Sequence, residues 1–182
     1  MILKTKRLVL RPANMKDIDA IVENINNLRV SKWLLVVPYP YKRKDAIYWI
    51  NSHKKQEKKK DSYDFAIELN EEKRIIGGCG LKKVDINQGT AKVGYWIGEK
   101  YWKKGYGSEA LEALINIAFK KLKLRRLEAD VFVGNPFSGL LLEKFGFKKE
   151  GLRRKACKSK ATGKIYDEYV YGLLKEEYKV KK

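Results

Sequence analysis

Histidine is all but missing from this chain: His53 is the only one in 182 residues. It stands in a lysine-rich stretch with no ligand-like neighbours, which removes the basis for a metal site or a histidine-based catalytic triad. Cysteine is nearly as scarce. Cys79 and Cys157 are too few for a disulfide framework and too far apart for a CxxC pair, as expected of two small thiols in a reducing cytoplasm. No apolar run approaches the roughly 20 residues of a membrane-spanning helix, so no membrane association is expected. Lys4, Lys6 and Arg7 interrupt the first apolar stretch, which argues against a secretory leader. Repeats and linkers are lacking too, so the sequence predicts a single domain over 1–182.

Acidic residues are in the minority, and unevenly so. Residues 1–60 carry 15 basic and 5 acidic side chains, 61–143 carry 13 and 12, and 144–182 carry 13 and 5. Nearly all of the excess of +19 therefore lies in the two flanks. A lysine-rich surface accounts for it. So does a field that attracts an acidic protein or a ribonucleoprotein, which admits a ribosome or RNA nearby.

What is present is patterned. Asn14 with Asp17 predicts a capped first helix whose stripe is Ile18, Ile21, Val22, Ile25 and Leu28. A second helix is expected from about Lys42, with Ile47 and Ile50 inward, ending in the charged run Lys54–Asp61. Tyr63–Leu69 alternates at strand period, and Asn70-Glu71-Glu72 turns it into a partner, Arg74–Leu81, whose Gly77-Gly78 suggests a bulge or a close backbone approach. Further strands are expected over Ala91–Gly98, Arg125–Val133, Phe147–Arg154 and Tyr166–Leu174, with a helix from Pro136. Hairpins mixed with strand–helix alternation predict an α/β (α+β mixed) fold, a mixed sheet with helices on both faces.

The most informative segment is Gly94–Ala110. A β-rich stretch ending in Tyr95-Trp96-Ile97 leads to Lys103-Lys104-Gly105-Tyr106-Gly107-Ser108, and a helix with an apolar face at Leu111, Leu114, Ile115, Ala118, Phe119 and Leu122 follows. The glycines remove Cβ atoms where a phosphate would approach the main chain, and the helix start offers free N–H groups and a positive dipole end. Two lysines add charge. A tight turn that binds nothing is the plain alternative. The dinucleotide and P-loop fingerprints are both incomplete here.

This segment resembles the acetyl-CoA loop of the GNAT N-acetyltransferases, in the ribosomal-protein N-terminal (RimJ/RimL-type) branch. The broader family carries Gln or Arg where Trp102 stands. The resemblance extends to Thr5–Pro12 as an opening strand, Pro38–Tyr41 as a turn, Asn135-Pro136-Phe137-Ser138 with Leu142–Phe147 as a second signature, and Tyr169–Leu174 as a closing strand. It implies the GNAT fold, a mostly antiparallel sheet that splays between its fourth and fifth strands, and acetyl-CoA as co-substrate without a metal. It implies a cofactor set of Tyr95, Trp96, Ile97, Lys103, Lys104, Gly105, Tyr106, Gly107, Ser108 and Asn135. Gly94 would mark a bulge aimed at the thioester carbonyl. Ser138 is implied as the group that protonates the departing thiolate, because Leu142 replaces the tyrosine used elsewhere in the family. Asp130 and Glu68 are the base candidates. Asn135 followed by Pro136 also reads simply as a helix start.

The acceptor is an amine. An α-amine has a pKa of about 7.7–8 and a lysine about 10.4, so neutralising a lysine at one pH costs about 3–4 kcal/mol more. Weak base candidates favour direct attack by a protein's N-terminal α-amine, with a ribosomal protein as one such acceptor, in a monomer or homodimer. The competing readings are a small-molecule amine acetyltransferase and a basic ribosome- or RNA-binding module with a vestigial loop.

Overall fold

A computed structural model of the chain describes residues 1–59 and 61–179, the side chains of 54–59 excepted. Eight strands form one sheet in the order β1-β2-β3-β4-β5-β6-β8-β7. Their ranges are β1 Leu3–Lys4, β2 Leu8–Arg11, β3 Tyr63–Leu69, β4 Arg74–Asp85, β5 Thr90–Ile97, β6 Arg126–Phe132, β7 Lys148–Lys158 and β8 Ile165–Leu174. Every neighbouring pair is antiparallel except β5–β6. The helices are α1 Ile18–Ile25, α2 Leu28–Ser31, α3 Arg43–Lys59, α4 Tyr106–Asn116 and α5 Pro136–Lys144. A π-helical turn, Ile117–Lys121, extends α4. No helix among the described residues is long and apolar enough to cross a membrane.

Two apolar layers hold the sheet. On one face Leu111, Leu114, Ile115 and Ala118 of α4 and its extension pack with Leu142 of α5 against Ile67, Leu81, Val93 and Leu127. On the other, Ile21, Ile25, Ala46 and Ile50 of α1 and α3 cover Ala66 and Ile75. β3 is thus buried on both faces, which is why Ala66 sits at the polar phase of its alternation.

The Asn14–Asp17 capping box forms, with Lys16 N–H donating to Asn14 Oδ1 at 2.9 Å and Asn14 N–H to Asp17 Oδ2 at 2.8 Å. The stripe stops sooner than its spacing suggests. The Asn26-Asn27 pair breaks the helix, and the Asn27 side chain accepts from Arg29 N–H to start α2, which leaves Leu28 exposed. In α3 the inward pair is Ala46 and Ile50, four residues apart on one face. Ile47, one position round the helix, is exposed. The run Lys54–Asp61 lies mostly outside the residues whose side chains are described. The expected opening strand is two short strands, β1 and β2, joined by a turn at Thr5-Lys6-Arg7.

Gly77 and Gly78 do both things expected of them. Ile67 faces Gly77 while Glu68 faces Ile75, so Ile76 is an extra, bulged residue. A Cβ on Gly77 would lie 2.3 Å from the Trp96 carbonyl oxygen, and one on Gly78 2.6 Å from Trp96 Nε1. β7 is an edge strand, exposed at every residue but Cys157 and irregular against β8 at two places.

The close approach is testable. Gly77→Ala should destabilise the protein by about 1–3 kcal/mol in urea denaturation, since backbone must move. Gly94→Ala, where an added Cβ meets nothing within 4 Å, should stay within about 1 kcal/mol of the parent.

Candidate active site

β5 pairs with β4 from Thr90 to Ile97 but with β6 only over Thr90, Ala91 and Lys92. β6 is meanwhile paired with β8 along its whole length. The sheet therefore parts beyond Lys92, and the edge of β5 from Val93 to Ile97 has no strand opposite it. Unpaired backbone N–H and C=O groups on such an edge accept an extended ligand as an added strand. β5 and β6 are parallel, so the helices that follow both strands begin at the end where the gap opens.

A cavity of about 320 Å³ occupies this gap, within the range of small-molecule sites. It is lined by Tyr95, Trp96 and Ile97 of β5, by Lys103, Gly105, Tyr106, Gly107 and Ser108 at the start of α4, and by Asn135, Phe137, Ser138 and Leu141 of α5. Lys103 and Gly105 both adopt left-handed backbone, with φ of 59° and 82°. A Cβ on Gly107 would enter the space between Leu141 Cδ2, at 3.4 Å, and Ile97 Cγ1, at 3.8 Å. The helix start thus faces the cavity with bare main chain, as an anion at an α-helix N-terminus requires.

Asn135 caps α5. Its Oδ1 accepts from Ser138 N–H at 3.4 Å, while its Nδ2 donates to Ser138 Oγ at 3.2 Å. The plain N-cap reading holds, and the same contacts orient the Ser138 hydroxyl at the cavity wall. The Tyr95 hydroxyl crosses the gap to donate to the Ser138 carbonyl at 3.4 Å. Burial pushes the Tyr95 phenol up to about 12, so it stays protonated at neutral pH.

Several expected members lie elsewhere. Glu68 is two strands from the gap, bound to Arg11 at 2.6 Å in a network that Arg11 completes with Asp17 at 2.8 Å. This ion-pair network ties β2 and β3 to the α1 entry, and it withdraws Glu68 from base catalysis. Asp130 does not line the cavity. Lys92 holds one of its oxygens at 2.5 Å and Arg153 holds the other, so each carboxylate oxygen already has a cationic partner. Lys104 faces outward, its ammonium 5.7 Å from the Tyr101 ring centre. Gly94 pairs in register with Gly80. The irregularity of that ladder falls instead at Lys83, whose φ is 48°, so the expected bulge at Gly94 is absent.

Val30, Leu34, Tyr101 and Leu141, which the sequence did not single out, line the cavity together with Trp33 and Trp102. Trp102 donates its indole N–H to the Ile97 carbonyl at 2.6 Å, anchoring the loop to the end of β5. The Trp33 segment meets the β7–β8 turn, where Lys160 N–H donates to the Leu35 carbonyl at 3.1 Å and the Trp33 and Tyr166 rings lie 6.3 Å apart. His53, packed 4.1 Å from the Trp49 ring, is outside the cavity, and burial lowers its pKa to about 3. Among the described residues no cluster could hold a metal ion.

The model of the acetyltransferase (GNAT) domain matches residues 7–148. The N-acetyltransferase p20 of Bacillus licheniformis is 35% identical over 178 residues, 97% of each chain. The crystal structure of a GNAT-family acetyltransferase from Bacillus anthracis superposes with a TM-score of 0.83 at 28% identity, covering 97% of this chain and all of that one. The ribosomal-protein-serine acetyltransferase of Escherichia coli is 33% identical over 85 residues, 47% of this chain and 48% of that one. The chain belongs to the GNAT family and is an acetyl-CoA-dependent N-acetyltransferase.

The glycine-lined helix start fits the pyrophosphate of acetyl-CoA, and the open β5 edge fits its pantetheine amides. Gly107→Asp should therefore fold normally yet lose measurable acetyl-CoA binding, because its carboxylate fills the space and repels the phosphates. Near-parental affinity by calorimetric titration of a folded variant would remove the loop from the donor site.

Proposed function

We propose that this enzyme acetylates the N-terminal α-amine of a protein by direct attack of the neutral amine on the thioester. The observation that carries the reading is the composition of the cavity wall. Among the described residues, its only titratable side chains are Lys103 and three tyrosines, Tyr95, Tyr101 and Tyr106. With no carboxylate or imidazole at hand, the acceptor must arrive neutral or lose its proton to water, and an α-amine does this far more readily than a lysine. The wall holds no cysteine, and Ser138 has no base beside it, which supports a ternary complex over a covalent enzyme intermediate.

In this reading Ser138 returns a proton to the leaving sulfur. Its hydroxyl receives a hydrogen bond from Asn135, which leaves its own proton free to be donated. Arg154, Lys155, Lys158, Lys160 and Lys164 are all exposed on β7 and the turn beside Trp33 and Leu35. They favour an acceptor with a neutral or acidic N-terminal sequence. A ribosomal protein is the acceptor class suggested by the name of the Escherichia coli relative. Membership of an enzyme family leaves no need for a binding module with a vestigial loop.

Two outcomes are expected. With a free-N-terminus peptide, kcat/KM should rise with pH through about 7.7–8 and then level, as the amine rather than an enzyme group titrates. A blocked peptide bearing one lysine, or a small polyamine, should be much slower at pH 7.5, and added salt should slow acidic peptides most. Equal activity on the lysine peptide or the polyamine would overturn the α-amine assignment. Ser138→Ala should lower kcat by about 10²-fold or more with acetyl-CoA affinity unchanged. A loss under threefold would make Ser138 a capping residue only.

A further inference from the structure

Glu109 lies two residues beyond Gly107, in the first turn of α4, yet it is not part of the cavity wall. Its carboxylate points the other way, into the β1–β2 turn, where three donors meet it. Thr5 Oγ1 donates to Oε1 at 2.6 Å, Arg7 N–H to Oε1 at 2.7 Å, and Arg7 Nε to Oε2 at 2.7 Å. Burial pushes the Glu109 carboxyl up, but the Thr5 hydroxyl, the Arg7 amide and the Arg7 guanidinium outweigh it and hold the pKa below the ordinary value. The first-turn position adds a favourable interaction with the helix dipole.

The Arg7 guanidinium then reaches past Glu109 to the loop itself. Its Nη1 donates to the Lys104 carbonyl at 2.9 Å, and its Cζ lies 4.6 Å from the Tyr106 ring centre. A Cβ on Gly105 would stand 3.3 Å from Nη2. Lys104, whose carbonyl is held, sits between the two left-handed residues, Lys103 and Gly105. Left-handed backbone is disfavoured for a non-glycine residue such as Lys103. A contact from outside the turn therefore helps it keep this shape. One side chain grips the carbonyl, the aromatic ring and the helix's first acid, all from the side away from the cavity.

We infer that Arg7 and Glu109 are positioning residues for the acetyl donor: their ion pair fixes the 103–107 turn from behind, so that its N–H groups face the pyrophosphate. The inference rests on the assignment of this turn as the pyrophosphate cradle. It also explains why the opening Thr-x-Arg and the glycine loop, 97 residues apart at the Arg7–Lys104 bond, belong to one device. A strained turn held by an arginine on another element is pre-organised, and pre-organisation is felt as donor affinity rather than as rate.

The test compares acetyl-CoA with S-acetylpantetheine, which lacks the pyrophosphate, as donors for Arg7→Ala, Arg7→Lys, Glu109→Gln and the Arg7→Ala/Glu109→Gln double variant. Thermal midpoints identify any variant that fails to fold, and Glu109→Gln, of the same shape, is the mildest of them. The expected result is a KM for acetyl-CoA raised about ten- to a hundredfold with kcat little changed. KM for S-acetylpantetheine should stay at the parental value. Arg7→Lys should fall between, keeping the charge but losing the fork to the Lys104 carbonyl. The double variant should be no worse than the worse single one. An equal rise on both donors, additive effects, or an unaffected Glu109→Gln would overturn the inference. Gly107→Asp in the same assay separates the two levels. If it too leaves KM for acetyl-CoA alone, the cradle assignment falls. If it raises KM while the Arg7 and Glu109 variants do not, only the positioning role falls.

Discussion

The parting of β5 from β6 is the constraint on which the rest of the molecule depends. Each strand is fully paired on its outer side, β5 to β4 and β6 to β8, while the two share only three residues of parallel ladder. Twist accumulates across any sheet, and in this one the β5–β6 ladder stops after three residue pairs. Side chains line the wedge where strand pairing stops: Tyr95 and Ile97 come from one bank, Leu141 and Ser138 from the helix on the other. A hydrogen bond from Tyr95 to the Ser138 carbonyl spans the gap.

Parallel orientation at this one joint has a further effect. In an antiparallel pair the segments following two neighbouring strands lie at opposite ends. Because β5 and β6 run the same way, both following helices start at the open end, one at Gly105 and one at Asn135. Each offers what helix starts offer, unpaired N–H groups and a capping residue. Open α/β sheets bind ligands outside the carboxyl ends of parallel strands for the same reason. Here a single parallel pair inside an otherwise antiparallel sheet suffices.

The features visible in the sequence were those set by near neighbours. Two glycines before a 3.6-residue apolar period, the Asn14–Asp17 box and the Asn135-Pro136 helix start all depend on residues a few positions apart. What could not be read depends on partners far along the chain. The sequence offered Asp130 as a base candidate. It could not show that Lys92, 38 residues back, and Arg153, 23 residues on, would occupy Asp130. Glu68 looked free for the same reason, its partner Arg11 lying 57 residues away. The helix break after Ile25 was missed because two consecutive asparagines compete with the helix for backbone hydrogen bonds, a conflict that apolar spacing does not register. Trp33 and Leu34 sit in a segment without regular period, so only the folded arrangement brings them to the cavity.

The two outer borders of the sheet differ from this inner gap in a way that bears on self-association. Unpaired strand borders recruit strands from other molecules, and short, charged or irregular borders resist doing so. β1 offers two residues. β7 is longer, but Lys155 has a φ of 48°, the ladder against β8 slips twice, and lysine and arginine line its length. The borders left open by the inner gap, Val93–Ile97 of β5 and Ala129–Phe132 of β6, face each other between two helix starts rather than outward at the rim of the sheet. Strand addition by another molecule is therefore disfavoured at the outer borders by their shortness, charge and irregularity, and at the inner ones by their place within the sheet.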